Sequence, residues 1–309
     1  MAVAHQYDLI ILGGGPAGMT AAIYAARSGL RAVILESNIT GGLVNSTYSV
    51  ENFPSYPEIH GMELMERMRK HIDSLGVDVI EVCEVETAEL AGDKKRIATD
   101  GGDYIAPAVI LATGRKPVPL DVPTEAEQVH HCAICDGSAY VGKHVLVVGG
   151  GNSAFDESLY MLGIGVAHIT LVEIMPRYFA AQSTQDKLFE SGKAEGRTST
   201  RVRDLLLGDE GALCGAVLEN VDTGETEEIA VEGVFVFLGQ KPNNALFRDA
   251  VELSEQGYIR TGRDMGTSLP GVFGAGDIND KQIRQITTAM ADGTIAALSA
   301  EAYIRARRT

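Results

Sequence analysis

A short apolar strand, a glycine-rich loop, a helix and a second apolar strand closed by an acid occur in that order twice in this 309-residue chain. In the first copy Tyr7 to Leu12 reads as a strand, Gly13-Gly14-Gly15-Pro16-Ala17-Gly18 as the loop, and Met19 to Ser28 as an alanine-rich helix. Ala32 to Glu36 then forms the second strand. The second copy runs from His144 to Val148, through Gly149-Gly150-Gly151-Asn152-Ser153-Ala154, along Phe155 to Leu162, to Ile169–Val172 and Glu173. A strand, helix and strand of these lengths form a βαβ unit, whose crossover is right-handed and whose two strands are parallel.

The glycine spacing gives each unit a task. In the first loop Gly13 permits the tight turn, Gly15 lets the backbone approach a pyrophosphate, and Gly18 lets the helix pack closely on the strand. Pro16 and Ala17 lie within the same loop, ahead of the helix, and are read with its glycines as cofactor-binding. Gly149 and Gly151 repeat the first two roles, Asn152 and Ser153 follow, and Ala154 stands where the third glycine would be. Glu36 and Glu173 close their strands where a carboxylate accepts hydrogen bonds from an adenosine ribose diol. Two such loops imply two dinucleotides, and the economical pairing is a flavin, FAD, with a nicotinamide.

Between the loops lies Cys132-Ala133-Ile134-Cys135-Asp136-Gly137. A C-x-x-C pair closes a small disulfide ring that an electron donor can open, and its thiolate can then attack a disulfide on another protein. Asp136 can give and take the proton of each exchange, while Asp-Gly is also a common turn dipeptide. His131 could tune thiolate formation by its charge. Half of a zinc site is the competing reading, kept open by His130 and His131. Against it, Cys83 and Cys214 are isolated and no histidine follows Cys135 at ligand spacing, so no metal is expected. Cys83, in an apolar strand-like run, and Cys214 read as structural.

Composition narrows the partners. A formal net charge of −16 argues against nucleic acid and against an anionic membrane surface. Four cysteines do not make a secreted disulfide scaffold, and the start Met-Ala-Val-Ala-His-Gln-Tyr lacks a cationic segment followed by an apolar run. The expected compartment is the cytoplasm, where a C-x-x-C pair is more plausibly catalytic than structural. Arg305, Arg307, Arg308 and Thr309 read as a basic helix end favoured by the helix dipole.

These residues carry a resemblance over nearly the whole chain to the low-molecular-weight thioredoxin reductases. It rests on Cys132-Ala133-Ile134-Cys135-Asp136, Gly41-Gly42, Glu51-Asn52-Phe53-Pro54, Ala112-Thr113-Gly114-Arg115, Thr267 to Asp277, and Arg284-Gln285 before an alanine-rich helix. The resemblance implies a three-layer α/β fold with one dinucleotide-binding domain inserted in another. The FAD domain would comprise residues 1–114 and 242–309, and the nicotinamide domain residues 115–241 with the C-x-x-C pair. It further implies that Gly42, Asn52, Thr113, Gly114, Gly276, Asp277, Arg284 and Gln285 join the first loop around FAD, with Asp277 on the ribityl chain. Electrons would pass from a nicotinamide to FAD, to the Cys132–Cys135 disulfide, and on to a thioredoxin-like protein, in a homodimer. Cys135 would be the sulfur nearer the flavin. Read without the resemblance, Thr113-Gly114 is a strand-end turn, Asp277 a candidate helix cap, and Glu51 to Pro54 a loop entering a turn.

One segment departs from the family. NADPH-using members carry arginines after the second strand of the inserted domain, whereas this chain has Glu173-Ile174-Met175-Pro176-Arg177-Tyr178-Phe179. Arginine forks bind a 2′-phosphate with bidentate, charge-assisted bonds, which Ile174, Met175 and Phe179 cannot make. A carboxylate ~4 Å from one phosphate charge costs about 1 kcal/mol in water and about 4 kcal/mol at an effective dielectric of 20. Glu173 therefore favours NADH over NADPH, with Arg177 as the one cation within reach.

Other electron sources define the alternatives. Ferredoxin or another flavoprotein could replace the nicotinamide, although the intact Gly149–Ala154 loop speaks against that. A dithiol oxidase would pass electrons from a small dithiol through the flavin to oxygen, and a non-catalytic flavin-binding regulator would reduce without turnover.

Overall fold

The computed structural model describes residues 4–47, 50–124, 126–208 and 211–307. Met1 to Val3, Arg308 and Thr309 lie outside them. The described chain divides into two compact units, Met1–Lys116 with Pro242–Thr309, and Pro117–Lys241. The two crossing strands, Arg115–Pro117 and Gln240–Pro242, pair with each other as a two-stranded ladder.

The first unit is built on a five-stranded parallel sheet ordered Val272–Gly274, Ala108–Leu111, Leu9–Leu12, Ala32–Leu35, Asp78–Ile80. Its central strands are apolar throughout because both faces are covered. Leu9, Ile11, Ile34 and Ile110 face a core shared with the helices Pro16–Arg27, Gly61–Ser74 and Ile286–Ala306. Ile10, Leu12, Val33 and Leu111 face the opposite core, closed in part by the sheet Ala4–Gln6, Gly102–Ala106, Lys95–Thr99, Val85–Glu89. The alternation follows from the two-residue period of a strand. Lys95 is fully buried and is held by the carbonyls of Gly92 and of Pro270, the latter at 2.8 Å.

Helices Pro16–Arg27 and Ile286–Ala306 approach closely because small side chains line both. A Cβ placed on Gly293 would stand 2.2 Å from the Ala17 carbonyl oxygen. The second of these helices is capped by Gln285 and Thr288, which satisfy each other's backbone amides. Asp277 is therefore no helix cap; it sits in the 3₁₀ turn Gly276–Ile278. At the far end Arg305 pairs with Glu301 at 2.6 Å and Arg307 with Asp93 at 3.0 Å.

The second unit repeats the plan. Its parallel sheet is ordered Val129–His130, Gly233–Val236, His144–Val148, His168–Val172, Ala194–Arg197. Val145, Val147, Ile169, Leu171 and Phe235 pack in one core with the helices Asn152–Ile164 and Gln182–Glu190, through Phe155, Met161 and Leu188. Leu146, Val148, Val172 and Val234 pack against the antiparallel sheet Thr200–Leu207, Leu213–Asn220, Thr226–Ile229. The molecule is thus α/β, with two copies of one three-layer dinucleotide-binding architecture, as the repeated motif requires.

Candidate active site

Cys132 and Cys135 are joined as a disulfide with their Cα atoms 5.4 Å apart. Cys132 caps the short helix Ala133–Asp136, its Sγ accepting the Cys135 N–H at 3.1 Å, and the Asp136 N–H reaches the Cys132 carbonyl at 3.2 Å. Asp136 is the last residue of that helix, not a free turn. Its Oδ2 lies 3.3 Å from His130 Nδ1, and His130 Nε2 is 2.7 Å from the Tyr140 hydroxyl. Burial pushes the His130 imidazole down against the opposing pull of Asp136, and burial raises the Tyr140 phenol. The partners assign the neutral tautomer in which Nδ1–H donates to Asp136 and Nε2 accepts from Tyr140. Phe235 wedges both rings, with centroids 5.2 Å from His130 and 5.4 Å from Tyr140. His131 is half-buried, with its Nδ1 3.2 Å from the Val236 carbonyl.

The nucleotide loop of the same unit has the geometry its glycines allow. Gly149 has φ +125°, and a Cβ there would lie 2.4 Å from the Phe237 carbonyl oxygen. A Cβ on Gly151 would meet nothing within 4 Å, so that edge is open to a ligand's backbone approach. Asn152 and Ser153 form the first helical turn rather than loop, and the Asn152 side chain accepts the Ala181 N–H at 3.0 Å. Glu173 lies over the middle glycine: its Oε2 would be 2.7 Å from a Cβ on Gly150, and its Oε1 accepts the Met175 N–H at 2.9 Å. Ile174, Met175 and Phe179 are about half exposed, and the Arg177 guanidinium stacks 5.3 Å from the Phe179 ring.

The first loop is the counterpart. Gly13 has φ +105° with the Ala112 carbonyl 2.4 Å from its would-be Cβ, and Gly15 faces open space. Glu36 Oε2 accepts the Gly14 N–H at 2.6 Å. A Cβ on Gly42 would lie 3.4 Å from the Gly15 Cα, which places Gly42 beside the loop, and Gly276 packs on Ala17. Thr113 donates to the Asn243 carbonyl at 2.8 Å beside Gly114, and Asn52 donates to Gln285 at 3.1 Å.

Whether a flavin fits can be judged from the polar groups left over. Asp277 Oδ2 is engaged by Arg115 at 2.9 Å, but its Oδ1 is buried without a partner. Arg284 stacks 4.1 Å over the Tyr258 ring, and its Nε is likewise buried and unpartnered. A buried acceptor and a buried donor left unpaired are costly unless a ligand completes them. Together with the open Gly15 edge they fit a dinucleotide that offers hydroxyl and carbonyl groups.

Sequence reading missed three contributors. Tyr140 and Arg115 act through contacts that sequence spacing does not announce. Glu157, in the helix Asn152–Ile164, accepts the Ala133 N–H at 2.7 Å, and the one signal for it was an acidic pair, Asp156-Glu157, on an otherwise apolar helix. Cys83 is buried between strands rather than within one, and Cys214 is exposed on Leu213–Asn220.

The chain matches the family described as pyridine nucleotide-disulphide oxidoreductase over residues 7–293. It is 40% identical over 303 residues to a Clostridium pasteurianum protein described as the 34.2 kDa protein in the rubredoxin operon, covering 97% of both chains. With the thioredoxin reductase of Coxiella burnetii it shares 37% identity over 313 residues, again covering 97% of each. A crystal structure of the thioredoxin reductase of Lactococcus lactis superposes with a TM-score of 0.87 at 36% identity, covering 97% of this chain and 99% of that one.

Proposed function

The chain belongs to the pyridine nucleotide-disulphide oxidoreductases, and within that family we propose that it is an NADH-preferring thioredoxin reductase. The observation that carries the reading is the Cys132–Cys135 disulfide set beside Asp136 in the same unit as an intact nucleotide loop. In its first unit Gly13, Gly15, Pro16, Ala17, Gly18, Glu36, Gly42, Asn52, Thr113, Gly114, Gly276, Asp277, Arg284 and Gln285 would hold FAD. When bound, a flavin supplies a two-electron relay between a nicotinamide hydride and a disulfide. Gly149, Gly151, Asn152, Ser153, Ala154 and Glu173 would hold NADH, the carboxylate accepting from the ribose diol.

The dithiol step belongs to the cysteines. In the reduced pair one thiolate attacks a sulfur of the partner's disulfide; that S–S bond breaks and a mixed disulfide forms. The second cysteine then displaces the partner's first sulfur, which restores Cys132–Cys135 and releases the partner as a dithiol. Asp136, oriented by His130, is placed to carry the proton that leaves the second cysteine's thiol as it attacks to the partner sulfur that departs. A thioredoxin-like protein is the natural acceptor, since its potential near −270 mV lies within reach of a nicotinamide donor. The working protein is read as a cytoplasmic homodimer, and among the described residues no helix is long and apolar enough to cross a membrane.

Anaerobic titration of the FAD-loaded protein with NADH and, separately, NADPH tests the reading. NADH is expected to bleach the flavin at much lower concentration, and added thioredoxin to be reduced at its expense. Bleaching by neither nucleotide would overturn the nicotinamide assignment and turn the search to ferredoxin or to small dithiols.

A further inference from the structure

The helix that begins at the nucleotide loop also reaches the disulfide. Glu157, in the first half of Asn152–Ile164, accepts the N–H of Ala133, the residue immediately following Cys132, at 2.7 Å. Later in the same turn the Cys135 N–H points at Cys132 Sγ, 3.1 Å away. Two amides of one turn thus serve a carboxyl and a sulfur at the same time. Burial pushes the Glu157 carboxyl up to about 7, Asp156 adds to the rise, and the Ala133 N–H opposes it. Near neutral pH this carboxyl stands between its two states. A thiolate formed in the turn that Glu157 holds would favour the protonated one, because like charges near each other disfavour joint ionisation.

We propose that Glu157 is a positioning residue for the dithiol, which holds the Cys132–Cys135 turn when charged and takes up a proton when the disulfide is reduced. This rests on reading that pair as the redox centre. In the step, two electrons from the nicotinamide donor break the S–S bond. One sulfur gains a proton and becomes a thiol, the other remains a thiolate, and a second proton enters the Glu157 carboxylate. When the partner's disulfide accepts the electrons, both protons leave with its dithiol, and the Cys132–Cys135 bond and the Glu157 carboxylate are restored. Atoms and charge balance.

The titratable and charged groups on the elements packed against Glu157 are few. Its own helix supplies Asp156, likewise raised by burial, and Tyr160. The segment Cys132–Tyr140 supplies Asp136 and Tyr140, with His130 behind them; Gln182–Glu190 supplies Asp186, Lys187 and Glu190; and the neighbouring strands supply His144 and His168. Of these, only Asp156 and the Ala133 N–H act on Glu157 appreciably.

The test equilibrates the flavin-loaded protein with dithiothreitol and its disulfide from pH 7.5 to pH 8.5, where Glu157 of the oxidised protein is charged, then alkylates and counts Cys132 and Cys135 thiols by peptide mass. The reagent dithiol gives up two protons as it closes. If the protein takes up both, the exchange constant stays flat with pH. In Glu157→Gln, which keeps an acceptor for Ala133, one proton is released, and the constant rises by up to tenfold per pH unit. Identical pH profiles in the two proteins would overturn the proposal. A second measurement needs no variant: reduction of the wild-type holoprotein at pH 7 should add a protonated-carboxyl band to the infrared difference spectrum, and its absence would be equally fatal. Failure of the proposal leaves NADH-driven thioredoxin reduction intact. Failure of the broader reading abolishes that reduction while exchange with dithiothreitol continues.

Discussion

Single side chains would set the chemistry of both proposed nucleotide sites, and Glu173 is the clearest case. Its carboxylate sits against Gly150, at the position where Glu36 sits against Gly14 in the other unit. Arginine at 174 and 175 would offer a 2′-phosphate two forks; isoleucine and methionine there offer exposed apolar surface instead. Glu173 is half exposed, so its repulsion of a phosphate belongs at the weak end of the Coulomb range, about 1 kcal/mol. Glu173→Ala should therefore improve kcat/KM for NADPH only about fivefold. Adding I174R and M175R should improve it by a further hundredfold or more, since two charge-assisted bonds contribute about 1.5–3 kcal/mol each. Steady-state kinetics with both nucleotides measures the ratio, and an unchanged ratio in the triple variant would refute the assignment of this segment to the 2′ position.

At the scale of elements, the sequence showed what is local and hid what is not. Both glycine loops, the strands before and after them and the cysteine pair were legible, because each is fixed by a few adjacent residues whose conformations nothing else could supply. The four-stranded sheet around Lys95–Thr99 and the three-stranded sheet around Leu213–Asn220 were not, since their strands mix buried and partly buried residues without a motif and their order is set by tertiary pairing. The Asp136–His130–Tyr140 chain and the Glu157 contact were hidden for the same reason: they join residues that only the fold brings together. The two loops also differ in a way that a substitution can expose. A Cβ on Gly18 would stand 1.9 Å from the Gly13 carbonyl oxygen, whereas Ala154 fills the matching position and is fully buried. Gly18→Ala should cost ~2 kcal/mol or more and yield protein poor in flavin. Gly151→Ala enters open space, should stay within ~1 kcal/mol of the parent and keep its flavin, yet lose reduction by NADH. Flavin content, melting temperature and NADH reduction, measured side by side, separate the two; a Gly151→Ala protein that NADH still reduces normally would contradict the phosphate-cradle role.

At the scale of the molecule, one unit interrupts the other, and the interruption is complete. Pro117–Lys241 is a single continuous stretch that carries its own parallel sheet, its own antiparallel sheet and a separate core on each face of the parallel one. The residues assigned to FAD all lie in the other unit, which needs both ends of the chain. A segment with its own core on each face of its parallel sheet meets the requirements of an independently folding domain. Expressed alone, residues 117–241 should unfold in one cooperative transition and keep the Cys132–Cys135 disulfide. NADH at a hundred times its dissociation constant should stabilise that fragment by about 2.7 kcal/mol and FAD not at all. In the full chain, removing FAD should lower only the transition that the fragment lacks. Calorimetry of fragment, apoprotein and holoprotein makes the comparison; stabilisation of the fragment by FAD would show that the ligands have been assigned to the wrong units, and an unfolded fragment that the cores on the two faces of its sheet are not sufficient by themselves.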